Sequence, residues 1–331
     1  MKLFAGVDGG GTKTRALAVS EDGVCRGSAL VGASNPNSVG AERARENLIE
    51  SLCAAALSAG TVPKFEAGFL GISGVNDSGT AREMEKVVGA DTRVVIDKLR
   101  IENDTRSLCA AAFPLSSGIV LIAGTGSKCY GRTLDGREWE TGGYDFHVSD
   151  EASAFDLARR GLTAAVRAAD GRGAPTILQK MLFDELRISE VGQISQRLHQ
   201  DSLKHPGAPM SKDEIAALAL IVGKAFESGD AVAAEIMRAA MCDLVRMVAT
   251  VAKKLGLAGS RLSVALTGGV VLNEPGRTVF RDAMAREFPQ CELFEPKFPP
   301  VVGAVVRALA LGGIAITPEI LANIERTFPR Q

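Results

Sequence analysis

The chain has 331 residues, of which 38 are lysine or arginine and 39 are aspartate or glutamate, and its formal net charge is −1. Since one hydrophobic core rarely serves so many residues, we expect two lobes, and a hydrophobic content of 46% excludes a disordered chain. The balanced charge offers no footprint for nucleic acid or for an anionic membrane, so neither is expected as a partner.

The first part of the chain predicts three strands joined by short turns, followed by alternating helices and strands. In chain order the predicted elements are the strands Leu3–Val7, Thr14–Val19 and Val24–Val31, the helix Ala41–Ser58, the strand Ala67–Ser73, the helix Thr80–Val88, the strand Arg93–Ile96 and the helix Asp104–Ala112. The first three strands are expected to be antiparallel, because a parallel crossover needs a dozen or more residues. The first lobe is therefore predicted as βββαβαβα over residues 1–115.

The same pattern starts again in the second part of the chain. An apolar strand, Gly118–Ala123, meets a glycine turn, and the strands Lys128–Thr133 and Glu138–Thr141 follow it. Two copies of one unit in a chain indicate a duplicated α/β fold.

Most of the remaining sequence has a helical pattern. The predicted elements are the helix Ser149–Ala169, a nearly continuous helical region over residues 175–255, the strand Leu262–Leu266 and the helix Val301–Leu311. We place the second lobe, with this helical insertion, at residues 116–313. A C-terminal helix at about 314–331 is expected to return to the first lobe.

The cysteines and the apolar segments indicate in which cellular compartment the protein is expected. Six cysteines lie far apart without a C-x-x-C pair, which argues against a zinc or iron–sulfur site and favours reduced thiols. Met1–Val7 carries one lysine and a short apolar run, so it is not expected to be a signal peptide, and no apolar stretch has the length of a membrane span. We expect a soluble, cytoplasmic protein.

Glycine-rich turns stand at the ends of three apolar strands. Such turns leave backbone N–H groups that point at one anion, typically a phosphate. Two common phosphate motifs nearly match and then fail: Gly6–Lys13 has an extra threonine for a P-loop, Gly124–Cys129 ends in cysteine instead of glycine, and both continue as strands rather than helices.

These turns carry a resemblance to a known superfamily. Asp8–Thr14, Gly124–Ser127 and Leu266–Gly269 resemble the phosphate-1, phosphate-2 and adenosine motifs of the actin/hexokinase/acetate-kinase superfamily. Within it the chain resembles the BadF/BadG/BcrA/BcrD-type ATPase family, which includes the N-acetylglucosamine kinases. The likeness extends to Gly32–Asn37, Gly71–Gly74, Glu102–Thr105, Gly142-Gly143 and Asp150–Ser153. It implies two ribonuclease-H-like lobes with ATP in the cleft between them.

The resemblance also implies roles for individual residues. The residues expected to bind ATP are Gly10, Gly11, Thr12, Lys13, Thr125, Gly126, Gly268, Gly269 and Asn273. Those expected to bind the sugar are Asn35, Gly74, Asp104, Ser127, Gly143, Tyr144 and Asp150. Asp8, at the end of the first strand, is expected to face Mg²⁺ through water molecules. Lys13 could equally be a solvated strand lysine.

Asp104 is the predicted general base. It lies where Asn103-Asp104-Thr105 opens a helix, and in sugar kinases the aspartate of a similar pair takes the proton of the sugar hydroxyl. The competing interpretation is that Asp104 caps the helix, although Asn103 could serve as the cap equally well. Asp97, at the end of the preceding predicted strand, is the alternative base.

The activity implied is that of an ATP- and Mg²⁺-dependent sugar kinase acting on the 6-hydroxyl of N-acetylglucosamine or a related amino sugar, and a homodimer is expected. The alternatives are a glucosamine or other hexose kinase, a sugar-sensing regulator, and an ATPase activator of a dehydratase or reductase. The sequence departs from hexosamine kinases at Gly143-Tyr144-Asp145, where they have Gly-Trp-Gly, and at Ser149–Ser153, where they have Gly-Asp-Glu-Gly-Ser. These departures leave the identity of the sugar open.

Overall fold

The structure is a computed structural model that describes residues 2–202, 204–258 and 261–329. It divides into two compact units, each built on one five-stranded sheet. The first unit comprises the chain up to Gly118, the short segment Arg132–Gly136 and the chain from Pro296 onward, and the second comprises Ile119–Gly131 and Arg137–Glu295. Within these described ranges no helix is both long and apolar enough to cross a membrane.

The elements are numbered in chain order. The strands are β1 (Leu3–Gly9), β2 (Lys13–Ser20), β3 (Cys25–Gly32), β4 (Lys64–Ile72), β5 (Val95–Glu102), β6 (Gly118–Ala123), β7 (Ser127–Arg132), β8 (Glu138–Gly142), β9 (Ser263–Thr267) and β10 (Glu292–Phe294). The helices are α1 (Pro36–Val39), α2 (Ala41–Ser58), α3 (Ser78–Gly89), α4 (Asp104–Ala112), α5 (Ala154–Ala169), α6 (Ile177–Leu186), α7 (Ile194–His199), α8 (Lys212–Ala217), α9 (Ala219–Glu227), α10 (Ala231–Leu255), α11 (Gly269–Leu272), α12 (Gly276–Glu287), α13 (Pro300–Leu311) and α14 (Pro318–Thr327).

The first sheet has the strand order β3-β2-β1-β4-β5. β1 and β2 are antiparallel, as are β2 and β3, because turns of a few residues connect them. β4 lies parallel to β1 and β5 parallel to β4, each after a helical crossover. The predicted βββαβαβα pattern is confirmed. The parallel arrangement brings the carboxyl ends of β1, β4 and β5 to one edge of the sheet.

Helices cover both faces of the first sheet, and the side chains of β1 point alternately into the cores on these two faces. Leu3, Ala5 and Val7 belong to the core on one face, together with α2. Phe4 belongs to the core on the other face, where α13 and α14 pack. Alternate residues of a strand point to opposite faces, so a run that is apolar at every position fits a central strand buried on both sides.

The second sheet has the order β10-β9-β6-β7-β8, in which β9 is parallel to both β6 and β10. The core on one face is formed with α10 and α12. A second core joins α5, α6, α8 and α9 with the start of α10, and it accounts for the helical insertion. The fold class predicted from the sequence, two α/β lobes of one pattern, is confirmed.

Three expectations about elements differ from the structure. β5 continues to Glu102, six residues beyond its predicted end, so that Asp97 lies within the strand and not at its end. α5 begins at Ala154 and not at Ser149, because two of the intervening residues have positive φ. The helical region over 175–255 is divided into α6 to α10.

The grouping of the C-terminal segment also differs from the boundaries drawn from the sequence. α13 lies in the first unit, although residues 116–313 were assigned to the second lobe. α14 lies in the first unit as well, where the Thr327 hydroxyl accepts a hydrogen bond from the Cys25 backbone N–H at 2.9 Å. The predicted spans include the residues Met1, Leu203, Gly259, Ser260, Arg330 and Gln331, which lie outside the described part of the chain.

Candidate active site

Two carboxylates lie at the carboxyl edge of the first sheet. Asp8 is the penultimate residue of β1, and Asp104 is the first residue of α4, which follows β5 directly. Burial and, next, the negative charge of Asp104 raise the pKa of Asp8 to about 6, while Lys13 and Arg15 oppose this shift. The two side chains are therefore close enough to interact electrostatically.

Asn103, and not Asp104, caps the helix. The Asn103 side-chain oxygen accepts hydrogen bonds from the Thr105 backbone N–H at 3.1 Å and from the Thr105 hydroxyl at 2.6 Å. Its amide nitrogen donates to the side-chain oxygen of Asn76 at 2.9 Å. The alternative that Asp104 serves as the N-cap is therefore wrong, and its carboxylate is not required for starting the helix.

Gly71 allows α4 to approach the sheet next to these carboxylates. It is the register partner of Asp8 on one side and of Glu102 on the other. A side chain at this position would begin 2.1 Å from the Ser107 hydroxyl and 3.4 Å from the Asp104 Cα. Only glycine leaves room for the first turn of α4 beside the end of β1.

Amide and hydroxyl groups form a second cluster at this edge. Asn35 caps α1, its amide nitrogen donates to the Ser73 hydroxyl at 3.3 Å, and its side-chain oxygen packs against Gly74. The Asn37 amide nitrogen donates to the Gly74 carbonyl at 3.5 Å. Asn35 and Gly74, both expected to contact the sugar, therefore lie together.

The first glycine turn is joined to this cluster through its backbone. The Gly10 N–H donates to the Lys13 carbonyl at 2.9 Å, and the Gly10 carbonyl accepts from the Asn35 N–H at 3.2 Å. Gly11, Thr12 and Lys13 are exposed. The Gly10 N–H is thus used within the turn, and these three residues form its exposed part.

In the second unit, the turn Gly124–Ser127 is bound to the loop that carries Asp150. The Ser127 N–H donates to the Asp150 carboxylate at 3.3 Å, the Ser127 hydroxyl donates to the Glu151 carbonyl at 2.7 Å, and the carboxylate packs against Gly126. Asp150 is buried and has a φ of 61°. These predicted site residues are therefore contiguous.

A cavity of about 450 Å³ lies beside the same turn. Its polar edge includes Thr125, Gly269 and Asn273, and most of the remaining wall is apolar. The size, and an apolar lining with a few polar groups, are typical of a small-molecule pocket. Gly268, next to the cavity, has a φ of 95°, and a side chain there would begin 2.3 Å from the Ala123 carbonyl oxygen.

Gly143 and Tyr144, the remaining predicted sugar residues of the second unit, follow β8 and do not line the cavity beside Thr125. Gly143 packs against the Lys128 side chain. Tyr144 is exposed and lines a groove of about 410 Å³ together with Ser149 and Glu151. This groove does not share lining residues with the cavity beside Thr125.

Two other sequence expectations concern a base and a metal. Asp97 is exposed on β5, five residues and about 17 Å of strand before its end, so its predicted place at the end of a strand is wrong. The described residues contain no group of three or more His, Cys, Asp or Glu side chains placed to hold a metal ion. Asp8 nevertheless fits Mg²⁺, which proteins commonly hold through one or two carboxylates together with water and phosphate oxygens.

Sequence reasoning missed Lys212, whose ammonium lies 2.8 Å from the Asp150 carboxylate. The two residues are 62 positions apart, and the pattern Ser211–Glu214 around Lys212 predicts a helix start but no contact with Asp150. Ser73 was also missed, although it lies inside the Gly71–Gly74 segment that the family likeness includes.

The fold and the glycine turns define the class of the protein. Two five-stranded mixed sheets of this topology are those of the actin-like ATPases. More particularly, the model of the BadF/BadG/BcrA/BcrD ATPase family matches residues 5–308, and the chain belongs to that family.

Three relatives illustrate the similarity. The N-acetylmuramic acid/N-acetylglucosamine kinase of Clostridium acetobutylicum is 28% identical over 314 residues, covering 93% of this chain and 98% of that protein. The N-acetyl-D-glucosamine kinase of Dictyostelium discoideum is 24% identical over 326 residues, covering 93% and 98%. The crystal structure of a candidate N-acetylglucosamine kinase from Chromobacterium violaceum has a TM-score of 0.68 at 25% identity and covers 94% of this chain and 99% of that one. The predicted enzyme class, a phosphotransferase with an alcohol acceptor, is confirmed by the curated relatives.

Proposed function

We propose that this protein is an ATP-dependent kinase that phosphorylates the 6-hydroxyl of N-acetylglucosamine or a closely related amino sugar. The observation that carries the proposal is the position of Asp104. It lies in the first turn of α4, capped by its neighbour Asn103, and interacts electrostatically with Asp8 at the end of β1. A carboxylate that the helix does not need as a cap is suited to chemistry.

In the proposed reaction, the Asp104 carboxylate orients the sugar hydroxyl and takes its proton as the hydroxyl oxygen attacks the γ-phosphorus of ATP. The bond between that phosphorus and the β,γ-bridging oxygen breaks, and ADP leaves. Asp8 would hold Mg²⁺ through water molecules. When bound, this ion neutralises charge on the phosphate oxygens.

The proposed phosphate contacts come from the glycine turns. In the first unit they are Gly10, Gly11, Thr12 and Lys13, and in the second Thr125 and Gly126. The cavity lined by Gly269 and Asn273 supports binding of the adenosine part.

The proposed sugar contacts are polar side chains that pair with hydroxyl and acetamido groups. Asn35 in the first unit, and Ser127 and Asp150 in the second, offer amide, hydroxyl and carboxylate groups. Such sites discriminate strongly, because a substrate that lacks a partner group leaves a buried polar group unpaired. The exposed Tyr144 is proposed to stack on a sugar face.

Glucosamine or another hexose as the substrate is the alternative, since the Tyr144 loop departs from that of the hexosamine kinases. An ATPase activator is the alternative of a different class. Assembly as a homodimer and a cytoplasmic location complete the proposal.

The test is ADP release from ATP with Mg²⁺ across a panel of amino sugars, neutral hexoses and muramic acids. We expect the highest kcat/KM with an N-acetylated amino sugar, and phosphorylation at the 6-hydroxyl by NMR of the product. Sugar-independent ATP hydrolysis at the same rate with every compound, together with iron in the purified protein, would instead identify an activator.

A further inference from the structure

Asp150 is a buried carboxylate with few partners. The Ser127 N–H reaches it at the long distance of 3.3 Å, and the Lys212 ammonium lies at 2.8 Å. A buried carboxylate is costly unless it is paired and hydrogen-bonded. Lys212 supplies the positive charge that compensates Asp150.

The position of Lys212 does not follow from the needs of its own helix. It is the first residue of α8, where the partial positive charge of the helix terminus disfavours a cation. The helix is started by Ser211 and Glu214, whose side chains each accept a hydrogen bond from the backbone of the other. The reason for a lysine at position 212 therefore lies in the contacts of its ammonium group and not in the start of α8.

The same ammonium also contacts the loop that leads to Asp150. It lies 5.1 Å from the centre of the Phe146 ring, and Phe146 packs edge-on against Phe155 with ring centres 4.8 Å apart. The loop between β8 and α5 contains three non-glycine residues with positive φ, namely Asp145, Asp150 and Ala152. Strained backbone of this kind persists only where its surroundings hold it, and it is concentrated at functional sites.

We propose that Lys212 is a positioning residue of the sugar site. It holds the Asp150 carboxylate turned toward the Gly126–Ser127 turn, so that both carboxylate oxygens are oriented before substrate hydroxyls donate to them. This inference rests on the proposed function, and it adds that the helical insertion of the second unit controls sugar affinity through one ion pair.

The test compares Lys212→Met, which keeps the length and apolar stem but removes the charge, with Lys212→Arg, which keeps the charge. Losing the orientation of a charged hydrogen-bonding group is expected to raise KM for the sugar about ten- to a hundredfold in Lys212→Met. KM for ATP should change much less than KM for the sugar, because Asp150 does not line the cavity proposed to bind the adenosine part. Lys212→Arg should restore most of the sugar affinity. Lys180→Met is the matched control, because Lys180 forms an exposed ion pair with Asp184 in the same unit at 2.6 Å.

The interaction between Lys212 and Asp150 is measured with two further variants, Asp150→Asn and the double variant Asp150→Asn/Lys212→Met. If Lys212 acts through Asp150, the double variant has the sugar KM of Asp150→Asn alone. It should also fold even where Lys212→Met does not, since no buried charge is left unpaired. An additional rise in KM in the double variant, or an unchanged sugar KM in a folded Lys212→Met, overturns the proposal.

Failure of the proposed function gives a different result. In that case the wild-type protein phosphorylates no amino sugar in the panel and binds none by calorimetry. The ion pair is then measured by the non-additivity of the three variants in thermal unfolding. Additive shifts there would show that Lys212 does not pair with Asp150 in solution and would overturn the inference independently.

Discussion

At the scale of single residues, a substitution of Asp104 is expected to lower the activity without lowering the stability. Asp104→Asn removes the base but keeps the size of the side chain, so we expect kcat to fall by about 10²–10⁴-fold. The melting temperature should barely change, because Asn103 makes the capping hydrogen bonds of α4. The measurements are steady-state kinetics with the best sugar of the panel and thermal unfolding of both proteins.

Asp97→Asn is the control for this variant. Asp97 is exposed within β5, and its substitution is expected to leave both kcat and the melting temperature unchanged. A general base usually contributes at least about a hundredfold to the rate. If Asp104→Asn keeps more than about a tenth of the wild-type kcat, the loss is too small for a base, and Asp104 does not have the proposed role.

Ser107, one turn after Asp104, is a fully buried serine whose hydroxyl has no hydrogen-bond partner among the described residues. A buried polar group without a partner costs about 1–3 kcal/mol, so Ser107→Ala should raise the free energy of unfolding by about 1 kcal/mol. Ser51→Ala is the matched control and should lower it, because the buried Ser51 hydroxyl donates to the Leu48 carbonyl at 2.8 Å. Denaturant unfolding of both variants tests this; a destabilised Ser107→Ala would show that the hydroxyl is satisfied in solution.

At the scale of elements, two adjacent glycines at the junction of β9 and α11 differ in how well they would tolerate a side chain. Gly268→Ala would strain a backbone with a φ of 95° and bring its Cβ to 2.3 Å from the Ala123 carbonyl oxygen. Backbone strain and a clash with main-chain atoms together should cost at least about 2 kcal/mol. The Cβ of Gly269→Ala would meet nothing nearer than the Asn273 amide nitrogen at 3.3 Å. The Gly269→Ala variant should fold normally. Its affinity for ATP, measured by titration calorimetry, then tests whether the cavity binds the nucleotide without interference from a folding defect.

The start of α8 is predicted to respond to acid. Hydrogen bonds from the Ser202 hydroxyl and then from the Ser211 N–H lower the pKa of Glu214 from 4.5 to about 2. Between these values the unfolded chain binds the proton more readily than the folded one. The stabilisation is therefore complete above pH 4.5 and is lost as the pH falls toward 2. Glu214→Gln should flatten this part of the stability–pH curve, measured by denaturant unfolding; an unchanged slope would contradict the assignment.

The elements show why some of the fold could be predicted and some could not. α2 and α4 begin and end where the sequence predicts, because their boundaries coincide with glycine, proline or capping residues. β5 could not be followed to its end, since an edge strand exposes charged residues and lacks an apolar pattern. α5 was predicted too long because positive φ values at non-glycine residues leave no signal in the sequence.

The candidate site was predictable only as far as local motifs reach. The segment around Asn103 identified a helix start, but which of the two neighbouring residues caps it depends on a single hydrogen-bond geometry. The ion pair of Lys212 with Asp150 joins positions far apart in the chain, and no spacing rule connects them. Contacts of this kind follow from packing of the insertion rather than from a motif.

At the scale of the whole molecule, the first unit is completed by the end of the chain. α13 packs on β1, β4 and α4, and its Gly303 lies so close to α4 that a Cβ would begin 1.8 Å from the Ser107 carbonyl oxygen. The helix that carries Asp104 is therefore held by a segment almost two hundred positions later in the sequence. The chain up to Gly118 contains all five strands of the first sheet but not this helix.

This arrangement predicts how fragments behave. A fragment of residues 2–118 should not fold cooperatively, because Phe4, Leu17 and Phe69 would lose the cover of α13 and α14 and expose a large apolar face. Joining residues 296–329 to the same fragment through a flexible glycine–serine linker should restore a cooperative thermal transition and abolish binding of a hydrophobic dye. As a control, the same linker followed by a scrambled 296–329 sequence should leave the fragment unfolded. A cooperative transition in the fragment 2–118 alone would show that the α2 face of the sheet suffices, and α13 would then be an addition to a unit that folds without it.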